Sequence, residues 1–267
     1  MEEGEDNIFV EDDFAFGQLN DKQREMFSYF IPVSGMEQQL IGVLEGAFQK
    51  KKNSNTSSTG NLAIKGGRGS GKTMLATNII KVFQKAAKRS GGRVGKISAE
   101  ALNTKDLSKL FEQIEGGYLI IEEAGQLSVE TARRMSFLME GNTGGLLVIL
   151  EDSKAGIKQA LNLDKSFGEK FTEEVKIPIF TSDELVVFAQ AYAREHECII
   201  DEIGILALHH CIHNIEKLDE AVTLTEVKEI MDRAMEQAKK GGVKQLIRKR
   251  KRTRGGFILL MEKDFEN

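Results

Sequence analysis

The sequence predicts an α/β fold, a parallel sheet flanked by helices and followed by a small all-α region. Three observations predict it. From Asn61 onward, short apolar strands alternate with amphipathic stretches of helical period, the pattern of βαβ units. After Thr181 the strand-like runs give way to three long amphipathic stretches. Between the first strand and the first helix of the alternating part stands a glycine-rich turn, "GGRGSGKT".

Each element can be justified in order. Residues 1–20 read as a flexible acidic tail, with seven acidic and no basic residues over Met1–Asp13. A helical pattern spans Asp21–Gln49, interrupted near Pro32, and the polar run Lys50–Gly60 reads as a flexible loop. The strands are "NLAIKG", "RVGKISA", "YLIIEEA", "GLLVILED" and "EEVKIPIF", separated by helices such as "GKTMLATNIIKVFQKAAKR" and "SVETARRMSFLMEG". Three helices are expected over Ser182–His196, Asp201–Glu216 and Thr223–Lys240. The switch from α/β to all-α marks the domain boundary. It gives an α/β domain over residues 21–181, a helical lid over 182–241 and a basic tail over 242–267, in which "GFILLMEKDF" adds a short strand.

Composition bounds the class. The 267 residues are 40% hydrophobic and 29% charged, as in a soluble globular protein. Two cysteines, Cys198 and Cys211, cannot form a disulfide framework, which fits a reducing cytoplasm. No run approaches the roughly 18 apolar residues of a membrane span, so no membrane partner is expected.

The turn "GGRGSGKT" fits G-x-x-x-x-G-K-[ST] in full, as Gly66, Gly67, Arg68, Gly69, Ser70, Gly71, Lys72 and Thr73. Its glycines let successive backbone N–H groups turn inward around an anion. The helix that begins there, through Met74, adds its positive end. Lys72 reaches the β- and γ-phosphates of a nucleotide, and the Thr73 hydroxyl ligates Mg²⁺. The nucleotide is ATP or GTP. Against the plain reading of a turn with a surface lysine stands the order of strand, turn and helix.

The second motif is the strand "YLIIEEA", ending in Glu122 and Glu123. It is expected beside the strand that enters the glycine-rich turn. Glu122 would hold magnesium through water, and Glu123 would polarise the attacking water.

Over about Gly35–Gly241 the chain resembles the AAA+ ATPases. The matching stretches are "GGRGSGKT", "GYLIIEEAGQL", "FLMEGNTGGLLVILED", "FGEKFTEEVKIPIFTSDEL" and the helical lid. The passage to "SDEL" is similar to the branch that contains the red-type rubisco activases. The resemblance implies an ATP hydrolase that assembles into a homo-oligomer and remodels a protein client. It implies Asp152 as the first sensor and Lys170 in place of a finger arginine. Three departures point to slow hydrolysis. Glu122 replaces the usual Asp. Lys170 lacks the planar fork of arginine. Thr225, with Lys228 a turn later, stands where the second sensor arginine is expected.

Two constellations carry less. His209 and His213 share a helix face, but no second ligand pair is spaced to complete a metal site. The run "RKRKRTR", Arg248–Arg254, suits a solvated tail, an acidic protein surface or nucleic acid. A DNA-associated AAA+ protein and a nucleotide-responsive module with little hydrolysis are therefore the alternatives to the ATPase.

Overall fold

The computed structural model describes residues 17–86, 92–216, 221–240 and 256–266. The Met1–Asp13 block and the Arg248–Arg254 run lie outside the described residues. The chain divides into two units, Met1–Phe27 with Ser34–Ile177, and Ser28–Val33 with Pro178–Asn267. The expected tail over 242–267 is only partly outside the description, because residues 256–266 form elements of the second unit.

In the first unit the helical pattern resolves into α1 (Asp21–Met26) and α2 (Met36–Lys51), and the segment around Pro32 belongs to the other unit. Asn20 caps α1 through a reciprocal pair with Gln23, which satisfies two free donors of the first turn. The alternating region then runs β1 (Leu62–Lys65), α3 (Lys72–Ala86), β2 (Val94–Ser98), α4 (Ala99–Leu102), α5 (Leu107–Gln113) and β3 (Tyr118–Glu122). It continues with a 3₁₀ turn (Ala124–Gln126), α6 (Val129–Glu140), β4 (Leu147–Asp152), α7 (Lys154–Asn162), α8 (Lys165–Gly168) and β5 (Glu173–Lys176).

All five strands are parallel, in the order β2-β3-β4-β1-β5. The acidic strand β3 was expected beside β1; β4 lies between them instead. The reason is burial. β4 carries four buried apolar residues, Leu147–Leu150, followed by the buried Glu151, and such an apolar run suits a position covered on both faces. The consequence for register is direct: Glu151 of β4 stands level with Ile64 of β1 and with Glu122 of β3. Leu119, Ile121, Val148 and Leu150 pack with Met135, Met139, Ile157 and Phe167 in one apolar cluster.

The polar run Lys50–Gly60, expected as a flexible loop, is pinned to the opposite end of the sheet. Lys51 is 4% exposed, and Ser57 and Asn61 are fully buried. The Lys51 ammonium donates to Asn61 Oδ1 at 3.3 Å and to Leu146 O at 3.0 Å. Asn61 Nδ2 donates to Ser57 O and Lys170 O, and its Oδ1 also accepts from Val148 N. Buried polar groups persist when they are paired in this way. Burial lowers the Lys51 ammonium from the ordinary lysine value to about 7.

In the second unit α9 (Ser182–Glu195), α10 (Glu202–Glu216) and α11 (Leu224–Lys240) occupy the three expected positions. Thr181 and Glu184 form a capping box at the start of α9. This unit is not purely helical. β6 (Cys198–Ile200) pairs in parallel with β7 (Ile258–Leu260), and α12 (Glu262–Phe265) follows. The strand in "GFILLMEKDF" was expected; its three-residue partner "CII", between two helices, was not. Among the described residues no helix is long and apolar enough to cross a membrane.

Candidate functional site at the phosphate loop

The loop Gly66–Thr73 leaves the C-terminal end of β1 and enters α3. In a parallel sheet this end, at the point where the strand order reverses, is where ligands bind. The loop is held in shape by hydrogen bonds to β4 and within itself. Gly66 N donates to Asp152 O at 3.1 Å, and Ser70 Oγ donates to Gly67 O at 2.9 Å. A Cβ on Gly66 would lie 2.5 Å from Ser70 Oγ, so a side chain there would displace the hydroxyl that closes the turn. Gly71 has φ of 86°, a conformation that a side chain strains. The Lys72 ammonium donates to Gly66 O at 3.1 Å and Gly67 O at 2.6 Å. Arg68 is exposed at the tip, Ser70 is buried beneath it, and Met74 is half-buried in the first turn of α3.

Thr73 is the meeting point of the acids. Its Oγ1 lies 2.5 Å from Glu151 Oε1 and 3.4 Å from Glu122 Oε1. Glu122 is half-buried and forms an ion pair with Lys96 Nζ of β2 at 2.8 Å. Glu151 is 3% exposed, and its Oε2 has no hydrogen-bond partner among the described residues. Burial pushes the Glu151 carboxyl above the usual carboxylate range and Glu122 adds to the shift, while the Thr73 hydroxyl, Lys72 and Lys96 pull against it. Neither Glu151 nor Lys96 stood out in the sequence. What would have found Glu151 is the register, which requires knowing that β4 separates β1 from β3.

Asp152, expected to face the nucleotide, turns elsewhere. Its Oδ2 accepts from Gly125 N at 2.8 Å and its Oδ1 from Ser153 N. Consecutive strand residues point to opposite faces, so Glu151 and Asp152 cannot both face Thr73. The Asp152 side chain ties the end of β4 to the 3₁₀ turn. Gly125 and Gly156 make room for it, and a Cβ on Gly156 would meet its carboxylate at 2.1 Å.

Glu123 is exposed and has φ of 53° and ψ of 46°. A left-handed non-glycine residue at the end of a strand is a strained conformation that concentrates at functional sites. It swings Glu123 out of the strand's alternation, while Gln126 N donates to Glu123 O at 2.8 Å.

Lys170 lies across the length of the sheet from the loop, before β5. It is 5% exposed. Its ammonium donates to Glu140 Oε1 at 2.8 Å and to Ser166 Oγ at 3.4 Å. That ammonium holds the Glu140 carboxyl below its usual range. The free, fork-like charge expected of a finger residue is absent: Lys170 is buried and already paired. In the second unit, Lys228 pairs with Asp232 at 2.6 Å and lies 5.5 Å from the centre of the Tyr192 ring. Thr225 is on the first turn of α11. His213 pairs with Glu216, and His210 with Asn214.

The residues at the loop fit a nucleotide triphosphate with Mg²⁺. A side chain at Gly66 would crowd the Ser70 hydroxyl that closes the cradle. A hydroxyl and two carboxylates are hard oxygen donors, as Mg²⁺ requires. The buried Glu151 Oε2 leaves an acceptor unmatched.

No family model and no curated protein matches the chain. Solved structures do. A RuvB variant from Thermotoga maritima superposes with a TM-score of 0.58 at 15% identity, covering 77% of this chain and 63% of that one. Domain III of the replication initiation protein DnaA from the same organism gives 0.60 at 14% identity, over 82% and 90%. A Thermotoga maritima RuvB described as a Holliday junction branch migration motor gives 0.54 at 14% identity, over 77% and 62%. The chain thus spans about 63% of the length of the first of these RuvB chains. With the five-stranded order, the phosphate loop and the helical second unit, these likenesses show that the chain has the AAA+ P-loop NTPase fold.

Proposed function

We propose that the chain binds and hydrolyses ATP with Mg²⁺ and couples this to self-assembly and to the remodelling of a protein client. The observation that carries the reading is the convergence of Lys72, Thr73 and Glu122 at the C-terminal end of β1 and β3. The loop N–H groups and Lys72 would hold the phosphates, and Thr73 and Glu122 would hold the metal. Bound Mg²⁺ neutralises phosphate charge. Glu123, exposed and turned out of the strand, would accept a proton from the attacking water. Ser70, by closing the turn on Gly67 O, keeps the loop's donors in place before the ligand arrives.

The experiment is phosphate release from ATP, measured beside the particle size in solution with and without ATP. Release together with a larger assembly supports the reading. ATP binding with neither release nor growth overturns it in favour of a nucleotide-responsive module.

Lys170 favours that second reading over rapid hydrolysis. To serve a neighbouring subunit it would have to leave Glu140 and a buried position. We assign it a structural role: Lys170→Ala lowers the melting temperature and leaves activity per folded molecule unchanged. A fall in activity that deepens on dilution would restore the finger role. The likeness to the rubisco activase branch rests on sequence stretches such as "SDEL". The similar structures are a Holliday junction branch migration motor and a domain of a replication initiation protein. A DNA client would show as salt-dependent retention of a duplex.

A further inference from the structure

We propose that Glu151 is a cation ligand, and that Thr73, Glu122 and Glu151 together bind a divalent cation of the Mg²⁺ or Mn²⁺ class before any nucleotide is present. The inference deepens the proposed nucleotide site but is measured without nucleotide, so it can fail or stand separately.

Three observations carry it. The first is position. The insertion of β4 between β1 and β3 sets Glu151 and Glu122 level on neighbouring strands, with the Thr73 hydroxyl within 3.4 Å of both. A single hydroxyl proton cannot serve two carboxylates. The second is the unmatched acceptor. Glu151 is 3% exposed and its Oε2 meets no donor among the described residues. A buried acceptor without a donor is costly, and among native structures each such group calls for an explanation such as an ion. The third is the engagement of the neighbouring cations. The Lys72 ammonium donates to Gly66 O and Gly67 O, and Lys96 is ion-paired with Glu122. Both are near enough to act on Glu151 through space, yet neither hydrogen-bonds it.

The donor set selects the ion. Carboxylate and hydroxyl oxygens suit hard divalent cations, and among the described residues no histidine or cysteine joins them to favour zinc. Three protein ligands leave positions for water and, later, for phosphate oxygens, which is how Mg²⁺ is commonly held. Two carboxylates in place of one raise the affinity of the protein alone, so the metal is seated on Thr73 before the phosphates arrive.

The test is a titration of the nucleotide-free protein with Mn²⁺, read by the loss of the free-ion paramagnetic resonance signal and repeated with Mg²⁺ as competitor. The parent binds one ion per chain, displaced by Mg²⁺. Glu151→Gln, which keeps the shape and removes the charge, weakens Mn²⁺ binding by about tenfold or more, and so does Glu122→Gln. Glu151→Asp, with the carboxylate drawn back by one methylene, gives a second reading if the glutamine variant does not fold. A parent that takes up no Mn²⁺ without nucleotide overturns the proposal, as does a Glu151 variant that binds like the parent. A separate titration with fluorescent ATP in excess chelator reads the phosphate loop alone. Mn²⁺ binding without ATP binding would sink the proposed function and leave this site standing.

Discussion

The two ends of the five-stranded sheet bury charge in opposite ways. At the N-terminal end Lys51, Asn61, Ser57 and Lys170 are buried, and the polar atoms of each are matched by a carbonyl, an amide, a hydroxyl or a carboxylate. At the C-terminal end the acids crowd around one hydroxyl, one carboxylate oxygen is left without a donor, and Glu123 sits in a strained left-handed conformation. The same sheet supports both. A completed network fixes structure, whereas an incomplete one leaves binding capacity for something that is not part of the chain.

The difference can be broken at either end. The largest effect belongs to Glu123→Gln. Phosphate release falls about 10²-fold or more, as for removal of a general base, while ATP binding and the melting curve stay as in the parent. Release at the parent rate would remove Glu123 from the chemistry. Next is Lys72→Ala. Loss of a charge-assisted hydrogen bond of about 1.5–3 kcal/mol weakens nucleotide binding by about 10- to 100-fold. Stability is retained, because the lysine's partners are carbonyls of its own loop. Titration of a fluorescent nucleotide beside thermal unfolding measures both.

At the other end the signature is reversed, with stability lost and binding kept. Asn61→Ala strips the Val148 N–H of its side-chain acceptor and the Ser57 carbonyl of its side-chain donor, while the Lys170 carbonyl keeps the Asn61 backbone N–H. Stranding such buried groups costs about 1–3 kcal/mol, read as a lower denaturant midpoint with unchanged nucleotide affinity. If affinity falls in step with stability, the two ends are not separable.

The smallest effect, taken per pH unit, concerns Lys51. Its ammonium sits at about 7 in the fold against 10.5 in the unfolded chain. Between those values the unfolded chain holds the extra proton, so stability rises with pH across the window, by at most about 1.4 kcal/mol per unit. Below pH 7 both states are protonated and the dependence ends. Lys51→Met removes this slope. Leu146 O keeps the Ser57 hydroxyl and Asn61 Oδ1 keeps Val148 N, so no buried acceptor is orphaned. Denaturation midpoints of parent and variant at pH 7 and pH 10 differ only in their slope. Equal slopes would mean that Lys51 stays charged in the fold.

What the sequence reveals divides along the same line. The phosphate loop, the strands and the helices of both units are legible because their signals are local: glycine spacing, apolar runs, caps such as Thr181 with Glu184. The sheet order is not local. "LVILED" and "YLIIEEA" read alike, and nothing within either tells which one lies against β1. Glu151 is hidden for this reason, whereas Asp152 stands out in the sequence because it ends the strand. Lys51 was hidden in a different way. Within "KKK" it looks like one of three solvated charges, and only the folded position of Leu146 and Asn61 distinguishes it. Lys170 was legible as a cation but not as a buried one. "CII" is too short to separate from the helices around it.

The central place of β4 has a mechanical consequence. It is hydrogen-bonded to β1 on one side and to β3 on the other, and at its foot the Leu146 carbonyl receives both Lys51 and Ser57. Sliding such a strand by one residue would reverse every side chain on it and break that anchorage as well. Glu151 is therefore mounted on a strut that cannot translate. A response of this site to a bound ion has to be taken up by rotation of the Glu151 side chain and by the segment after Asp152, where the chain leaves the sheet for α7.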